Sequence, residues 1–123
     1  MESMPKTLRK SYGQFFTTEL TARFMAEMFH FDITQPTIRI CDAGAGTGVL
    51  TAAVVERLLN LGYAGHIYIV CYENDPHVLP LLHENLKFIA DGRQLTYEVR
   101  EDNYIITPPV EGEQFDYIIG NPP

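Results

Sequence analysis

The sequence predicts an α/β fold built on one doubly wound, parallel sheet of the Rossmann-like type. Strand-length runs of β-branched and apolar residues alternate with helix-length stretches that carry apolar residues on one side. A glycine-rich turn joins the first strand to the next helix, and polar or acidic residues follow the later strands. Alternating strands and helices form parallel sheets, which bind ligands at the carboxyl ends of their strands. The motifs therefore predict one functional edge of the sheet.

The first half of the chain predicts two helices around one strand. Thr18 is a suitable cap for an amphipathic helix that runs to about Phe29. The β-branched run over 37–41 predicts the first strand, which ends at the glycine-rich turn. Strong helix formers over 49–61 predict the second helix, and Gly62 stands where that helix should stop.

The second half predicts a strand, a helix and two more strands. The apolar run over 66–72 lacks clean alternation, as expected for an interior parallel strand. Asp75 caps a predicted helix over 76–90, and Pro80 predicts a kink or a distorted first turn because it lacks an N–H. The third strand is predicted over 95–100 and the fourth over 115–119.

The composition limits the class of protein. The 123 residues are 46% hydrophobic, enough for one domain and too few for two. The net charge is −7, whereas a domain that binds nucleic acid unaided is usually basic. The basic cluster of Lys6, Arg9 and Lys10 is a solvated tail or a phosphate contact.

No stretch resembles a membrane span or signal peptide, which predicts a cytoplasmic protein without membrane contact. Cys41 and Cys71 are predicted to be buried, reduced thiols, and no metal site is expected.

The turn over 42–48 carries glycine at positions 44, 46 and 48. Glycines let a backbone turn tightly and approach a ligand beside a helix N-terminus, so a nucleotide-like cofactor is the natural occupant. The spacing is GxGxG, because Val49 stands where a dinucleotide fingerprint would need glycine. Taken alone, the motif is weak evidence for a cofactor, and a plain tight turn is the alternative.

Acidic residues follow the second and third strands. Glu73 is placed where a carboxylate can accept both hydroxyls of a ribose, although an exposed carboxylate in a turn is the alternative. Asn74 is included in the candidate site beside it. Asp102 and Asn103 are candidates for hydrogen bonds to the adenine of a cofactor, or else form a loop.

The segment Asn121-Pro122-Pro123 follows the fourth strand. Two prolines fix the backbone and leave carbonyls as pure acceptors. The side-chain oxygen of Asn121 and the carbonyl of Pro122 can therefore bind an NH₂ group. Such acceptors would draw a conjugated amine toward a tetrahedral nitrogen and hold it in line for methyl transfer. A simple turn is the alternative.

Together these motifs resemble those of amino-group methyltransferases with a glycine-rich first motif and an Asn-Pro-Pro-aromatic fourth motif. The segment over 10–17 resembles the one upstream of the first motif in N6-adenine-specific DNA methyltransferases of restriction-modification systems with gamma-type motif order. The resemblance implies the class I fold of S-adenosylmethionine-dependent methyltransferases, S-adenosylmethionine as cofactor, and adenine in DNA as substrate. The target base would have to be flipped out of the duplex.

The resemblance also implies a role for each site residue. Catalysis is assigned to Asn121 and Pro122, which would bind the target amine, and to Pro123, which would shape the loop. The cofactor residues are Phe16 and Thr17 for its methionine end, Asp42, Ala43, Gly44 and Gly46 for its amino acid portion, Glu73 with neighbouring Asn74 for the ribose, and Asp102 and Asn103 for the adenine.

Two features depart from the family pattern. Thr18 stands where proline is usual, and the sequence stops at Pro123, before the expected aromatic residue. We therefore expect residues 1–123 to be a single partial methyltransferase domain, truncated after the fourth strand and inactive alone. Its parts would be a tail and helix over 1–35 and a cofactor-binding half over 36–123. Most DNA contacts would lie elsewhere, and the fourth strand, left at a sheet edge, would favour self-association.

Other interpretations remain open at this stage. A methyltransferase acting on a glutamine amide of a protein, or on a guanine amine of RNA, would also resemble the Asn-Pro-Pro pattern. The segment over 13–17 argues against both. A cofactor-binding module without chemistry of its own is the alternative from a different class.

Overall fold

The fold is a four-stranded parallel sheet with three helices, seen in a computed structural model that describes residues 18–101 and 112–120. The strand order is β3-β2-β1-β4, with β1 and β2 in the centre. The strands are β1 (Thr37–Ala43), β2 (His66–Tyr72), β3 (Leu95–Arg100) and β4 (Tyr117–Ile119), and the helices are α1 (Glu19–Ala26), α2 (Val49–Asn60) and α3 (Leu79–Ala90). This arrangement confirms the predicted α/β class with a parallel sheet.

The main core lies between the helices and one face of the sheet. Strand residues Ile38, Ile40, Ile67 and Ile69 pack there against buried side chains from α1, α2 and α3. Alternation along the strands puts a second, smaller cluster of Cys41, Val70 and Tyr72 on the opposite face. None of the helices in the described ranges is long and apolar enough to cross a bilayer.

Both cysteines are buried, free thiols, as predicted. Cys41 pairs with Val70 and Cys71 pairs with Asp42 in the register of the sheet, so the two thiols lie on opposite faces. Burial raises the pKa of the Cys41 thiol to about 12 and that of Cys71 well above its ordinary value. Both groups are therefore neutral and unreactive at neutral pH.

The ends of several elements differ from the sequence prediction. Thr18 caps α1 by accepting the N–H of Thr21 at 3.2 Å, as predicted, but the helix ends at Ala26. The next turn tightens, because Phe29 bonds the carbonyl of Ala26, three residues back. Strand β1 continues to Ala43 because its last residues pair with β2, and α2 ends at Asn60 with Gly62 (φ +84°) just beyond it.

The start of α3 shows the predicted distortion at Pro80. Residues 76–78 form a separate turn, in which the Asp75 carboxylate accepts the N–H of His77 at 2.8 Å. The α-helix begins only at Leu79, so Pro80 falls in its first turn. An N–H at that position has no acceptor within the helix, and proline is tolerated there.

Hydrogen bonds to β1 begin at Asp116, the residue directly before β4. Asp116 donates its N–H to the carbonyl of Arg39 at 2.8 Å and accepts the N–H of Arg39 on its carboxylate at 2.7 Å. Tyr117 accepts the N–H of Asp32 on its hydroxyl at 2.8 Å. Strand β4 therefore begins at Tyr117, two residues later than the predicted start at 115. The bonds of Asp116 and Tyr117 fix the register that pairs Ile119 with Asp42.

Candidate functional site

The structure places six of the predicted site residues at the carboxyl ends of β1 and β2. These two strands are neighbours in the sheet, so the residues that follow them meet at one edge. The six are Asp42, Ala43, Gly44, Gly46, Glu73 and Asn74. The other seven, which are Phe16, Thr17, Asp102, Asn103, Asn121, Pro122 and Pro123, lie outside the described residues.

The glycine loop over 44–48 is bound to the end of β2 by three successive N–H groups. Gly44 and Ala45 both donate to the carbonyl of Tyr72, at 3.0 and 2.9 Å. Gly46 donates to a carboxylate oxygen of Glu73 at 2.7 Å. The loop makes these bonds with left-handed glycines, since φ is +101° at Gly44 and +57° at Gly46. Among the described residues, nothing lies within 4 Å of the position that a Cβ at Gly46 would take, so these residues leave open space beside it.

The third glycine of the motif serves packing against α3. A Cβ at Gly48 would lie 3.1 Å from Cδ1 of Leu82. Asn85, one turn further along α3, donates from its side-chain amide to the carbonyl of Thr47 at 2.7 Å. The loop is thus held from the β2 side by Glu73 and from the helix side by Asn85. Asn85 is not predictable from the sequence, because nothing in the local pattern marks a helix residue that bonds a distant loop.

Glu73 is buried rather than exposed in a turn, since only 8% of the residue is accessible. One carboxylate oxygen accepts the N–H of Gly46, and the other accepts the N–H of Asp75 at 3.1 Å. A carboxylate has about four lone-pair positions, so two remain for further donors. The backbone therefore fixes the direction of this side chain without exhausting its capacity to accept hydrogen bonds. Asn74, next to it, is exposed.

Asp42 is the most deeply buried charged side chain of the site, at 1% exposure. Its Oδ2 accepts a short hydrogen bond of 2.6 Å from the hydroxyl of Thr51 on α2. Its Oδ1 has no hydrogen-bond partner in the part of the chain that the structure describes. Burial raises the pKa of Asp42 to about 6; the bond from Thr51 opposes this shift, and the charge of Glu73 adds to it.

The end of β4 touches the Asp42 carboxylate. Gly120 has φ +96°, and a Cβ there would lie 2.6 Å from Oδ1 of Asp42 and about 3 Å from the backbone of Ala43. Only glycine fits this contact without a shift of its neighbours. Gly120 and Thr51 are not among the site residues predicted from the sequence, although the glycine directly before Asn121 is a signal in the sequence.

A polar network lies on the sheet face opposite the helices. The Arg100 guanidinium makes a bidentate pair with Glu113 at 2.7 and 2.8 Å. It also bonds Glu98 at 2.8 Å and the hydroxyl of Tyr72 at 2.6 Å. These bonds join the end of β3 to the segment that precedes β4. We interpret the network as structural, because it links β2 and β3 to the segment that precedes β4.

A groove of about 250 Å³ lies on the helix side, between α1, α2 and α3. It touches the glycine motif only at Gly48 and includes neither Asp42 nor Glu73. The chemistry of the site is therefore at the sheet edge and not in this groove. Within the described ranges, no three His, Cys, Asp or Glu side chains are grouped in a way that could hold a metal ion.

The described residues fit a cofactor that carries hydroxyl and ammonium groups. Two carboxylates lie at neighbouring strand ends, and one of them has a buried oxygen without a hydrogen-bond partner among residues 18–101 and 112–120. The space beside Gly46 lies next to Glu73, which accepts its N–H. An edge built from acceptors binds donors such as ribose hydroxyls or an amino acid ammonium, and it disfavours a phosphate group.

Comparison with known proteins gives consistent matches. A family model described as N-6 DNA Methylase matches residues 1–123. The Type II methyltransferase M.BsuBI of Bacillus subtilis is 34% identical over 100 residues, which are 79% of this chain and 19% of that protein. The Type II methyltransferase M.PstI of Providencia stuartii is 38% identical over 71 residues, which are 58% of this chain and 13% of that protein. The chain thus spans less than a fifth of the length of either relative.

Proposed function

Since the chain belongs to the N-6 DNA methylase family, we propose that it binds S-adenosylmethionine at the carboxyl ends of β1 and β2 and serves methyl transfer to the exocyclic amine of adenine in DNA. The observation that carries the proposal is the contact between Glu73 and Gly46, at 2.7 Å. It joins the acidic residue and the glycine loop in one site, although the two are 27 positions apart.

In this proposal each described residue has a part in binding the cofactor. Glu73 accepts the ribose hydroxyls with the lone pairs that its two backbone bonds leave free. Asp42 and the backbone over 43–46 bind the amino acid portion, with a buried negative charge facing a cationic group. Exposed Asn74 borders the ribose position.

The remaining roles rest on the family resemblance. Phe16 and Thr17 contact the methionine end, Asp102 and Asn103 the adenine of the cofactor, and Asn121, Pro122 and Pro123 the target amine. When bound, S-adenosylmethionine supplies an electrophilic methyl group on a sulfonium. The chain's contribution is to orient the amine through the acceptors at Asn121 and Pro122, where positioning provides much of the rate.

The charge of the chain bears on how DNA is held. With a net charge of −7, residues 1–123 are acidic overall, whereas a domain that binds nucleic acid unaided is usually basic. We place most of the DNA contacts in other parts of the protein. Residues 1–123 then form part of one methyltransferase domain, with cofactor binding in 36–123 and a supporting tail and helix in 1–35.

Self-association through β4 remains part of the proposal. Strand β4 is an edge of the described sheet, and Ile118 on it is 53% exposed. Exposed apolar edge strands pair with other chains. Sedimentation over a range of concentrations should show reversible dimers, and a strictly monomeric species at high concentration would contradict the role of β4.

Calorimetric titration of the chain with S-adenosylmethionine, with adenosine as a comparison, tests the cofactor proposal. We expect S-adenosylmethionine to bind more tightly, because it alone carries the amino acid portion that this proposal assigns to Asp42. Failure of both ligands to bind would overturn the assignment of the site.

A methyl-transfer assay with labelled cofactor tests the substrate. DNA, RNA and protein acceptors are compared, first with this chain alone and then with the whole protein. We expect label on adenine in DNA from the whole protein and none from residues 1–123 alone. Label on guanine of RNA or on a glutamine amide would replace the DNA proposal, and binding without any transfer by the whole protein would favour a non-catalytic module.

A further inference from the structure

We propose that Thr51 and Gly120 are positioning residues for the Asp42 carboxylate, which they hold between the glycine loop and the end of β4. Neither residue belongs to the glycine loop or to the Asn-Pro-Pro segment. The inference rests on the proposed function, because it concerns the side chain that is assigned to the amino acid portion of the cofactor.

Thr51 fixes one oxygen of the carboxylate. It lies in the first turn of α2, is 1% exposed, and donates its hydroxyl to Oδ2 of Asp42 at 2.6 Å. A hydrogen bond to an ionised group is short and strong, and a buried hydroxyl needs such a partner. The threonine thus sets the plane of the carboxylate and determines where the second oxygen points.

Gly120 provides the room for the second oxygen. The position that its Cβ would occupy is only 2.6 Å from Oδ1 of Asp42, a distance that real Cβ atoms do not adopt. Because Gly120 also has φ +96°, a side chain here is disfavoured by the backbone conformation as well as by the contact. The absence of a side chain lets the carboxylate lie directly against the end of β4.

Oδ1 of Asp42, which has no hydrogen-bond partner among the described residues, explains why the direction of the carboxylate matters for binding. A buried carboxylate oxygen without a donor is costly, and a cationic N–H donor compensates it best. Since Oδ1 is enclosed, small changes in the direction of the carboxylate decide whether a donor can meet it. Gly120 directly precedes Asn121, so the same contact links the cofactor residues to the segment assigned to the target amine.

Replacement of Thr51 by valine or serine tests the first contact. Thr51→Val keeps the shape and removes the hydroxyl, whereas Thr51→Ser keeps the hydroxyl. We expect Thr51→Val to weaken S-adenosylmethionine binding about tenfold, as for one lost hydrogen bond to a charged group. The pKa of Asp42, followed by carbon NMR of its carboxyl group, should rise above about 6, because the bond that lowers it is gone. Thr51→Ser should restore both values to within about twofold.

Replacement of Gly120 by alanine tests the second contact, and Gly62→Ala is the matched control. Both glycines have similar positive φ angles, +96° and +84°, but a Cβ at Gly62 would meet no atom of the described residues within 4 Å. Both variants should lose thermal stability from backbone strain, and Gly120→Ala should lose more, because its Cβ also meets Asp42 and the backbone of Ala43. Only Gly120→Ala should weaken S-adenosylmethionine binding, by about tenfold or more, because only it displaces Asp42.

The outcomes separate this inference from the proposed function. Unchanged affinity and an unchanged Asp42 pKa in Thr51→Val would overturn the role of Thr51, and equal affinities of the two alanine variants would overturn that of Gly120. If the unaltered chain binds no S-adenosylmethionine, the proposed function fails, while the Asp42 pKa in Thr51→Val and Gly120→Ala still decides whether these residues position the carboxylate. If Thr51→Val does not fold, Thr51→Ala, which also removes the hydroxyl, is compared with Thr51→Ser in the same way.

Discussion

The ends of β1 and β2 carry two buried carboxylates that are held in different ways. Glu73, after β2, accepts backbone N–H groups from Gly46 and Asp75 on its two oxygens. Asp42, at the end of β1, accepts one side-chain hydroxyl, from Thr51, and its other oxygen has no partner among the described residues. Neighbouring strand ends thus present one carboxylate that the backbone fixes and one that depends on a single side chain.

This difference teaches where the site is robust and where it is sensitive. Backbone donors persist through most substitutions, so the direction of Glu73 is set by the fold itself. The direction of the Asp42 carboxylate depends on the hydroxyl of Thr51 and can be lost when that single group is removed. The compensation is chemical, because the carboxylate with fewer partners retains more capacity to interact with a ligand, and burial has already raised its pKa to about 6.

The largest effect is expected from Glu73→Ala. The variant removes the acceptor assigned to the ribose and leaves two backbone N–H groups, at Gly46 and Asp75, without their partner. We expect S-adenosylmethionine affinity to fall by at least about 300-fold, since several charged hydrogen bonds are lost together. Calorimetry measures the change, with Glu84→Ala, an exposed carboxylate on α3, as the control. Binding by Glu73→Ala within tenfold of the unaltered chain would show that the backbone-fixed carboxylate does not serve the cofactor.

The second prediction concerns the pH dependence of stability and uses Asp42→Asn. The pKa of Asp42 is raised from 3.8 to about 6 in the folded chain, chiefly by burial. Between about pH 4 and pH 6 the folded chain therefore keeps a proton that the unfolded chain has lost, and this group's contribution to stability falls as pH rises through that window. The change amounts to at most about 3 kcal/mol.

Urea unfolding of both proteins between pH 4 and pH 7 measures this contribution. The free energy of unfolding of the unaltered chain should fall relative to that of Asp42→Asn as pH rises, because asparagine does not titrate. Any constant cost of the amide beside Gly120 cancels in the comparison across pH. Parallel curves for the two proteins would show that folding does not raise the pKa of Asp42, and would remove the contrast with Glu73.

Local patterns were sufficient to predict the strands and the glycine loop. Strand β2 over 66–72 and strand β3 over 95–100 have the predicted bounds, because apolar β-branched runs report burial in a sheet directly. The positive φ angles at Gly44 and Gly46 follow from the need for a tight turn between β1 and α2. Glu73 was identified because it follows a strand whose position was already clear.

The supporting contacts could not be predicted in this way. Thr51 and Asn85 are ordinary helix residues whose bonds reach Asp42 and Thr47 across 9 and 38 positions, respectively. The contact of Gly120 with Asp42 depends on β4 pairing with β1, and strand order is not written in local periodicity. Elements follow from local preference, whereas the contacts that orient a site follow from which elements become neighbours.

The smallest effect is expected at Asn85, which holds the glycine loop from the helix side. Asn85→Ala removes one hydrogen bond, of 2.7 Å, to the carbonyl of Thr47, in a half-buried position. The free energy of unfolding should fall by about 1 kcal/mol, and S-adenosylmethionine affinity should fall by about two- to fivefold, because the bonds of the loop to Tyr72 and Glu73 remain. Lys87→Ala, an exposed change on the same helix, controls for helix stability. A loss as large as that of Glu73→Ala would show that the loop is held mainly by α3, and that the end of β2 is not the dominant support of the site.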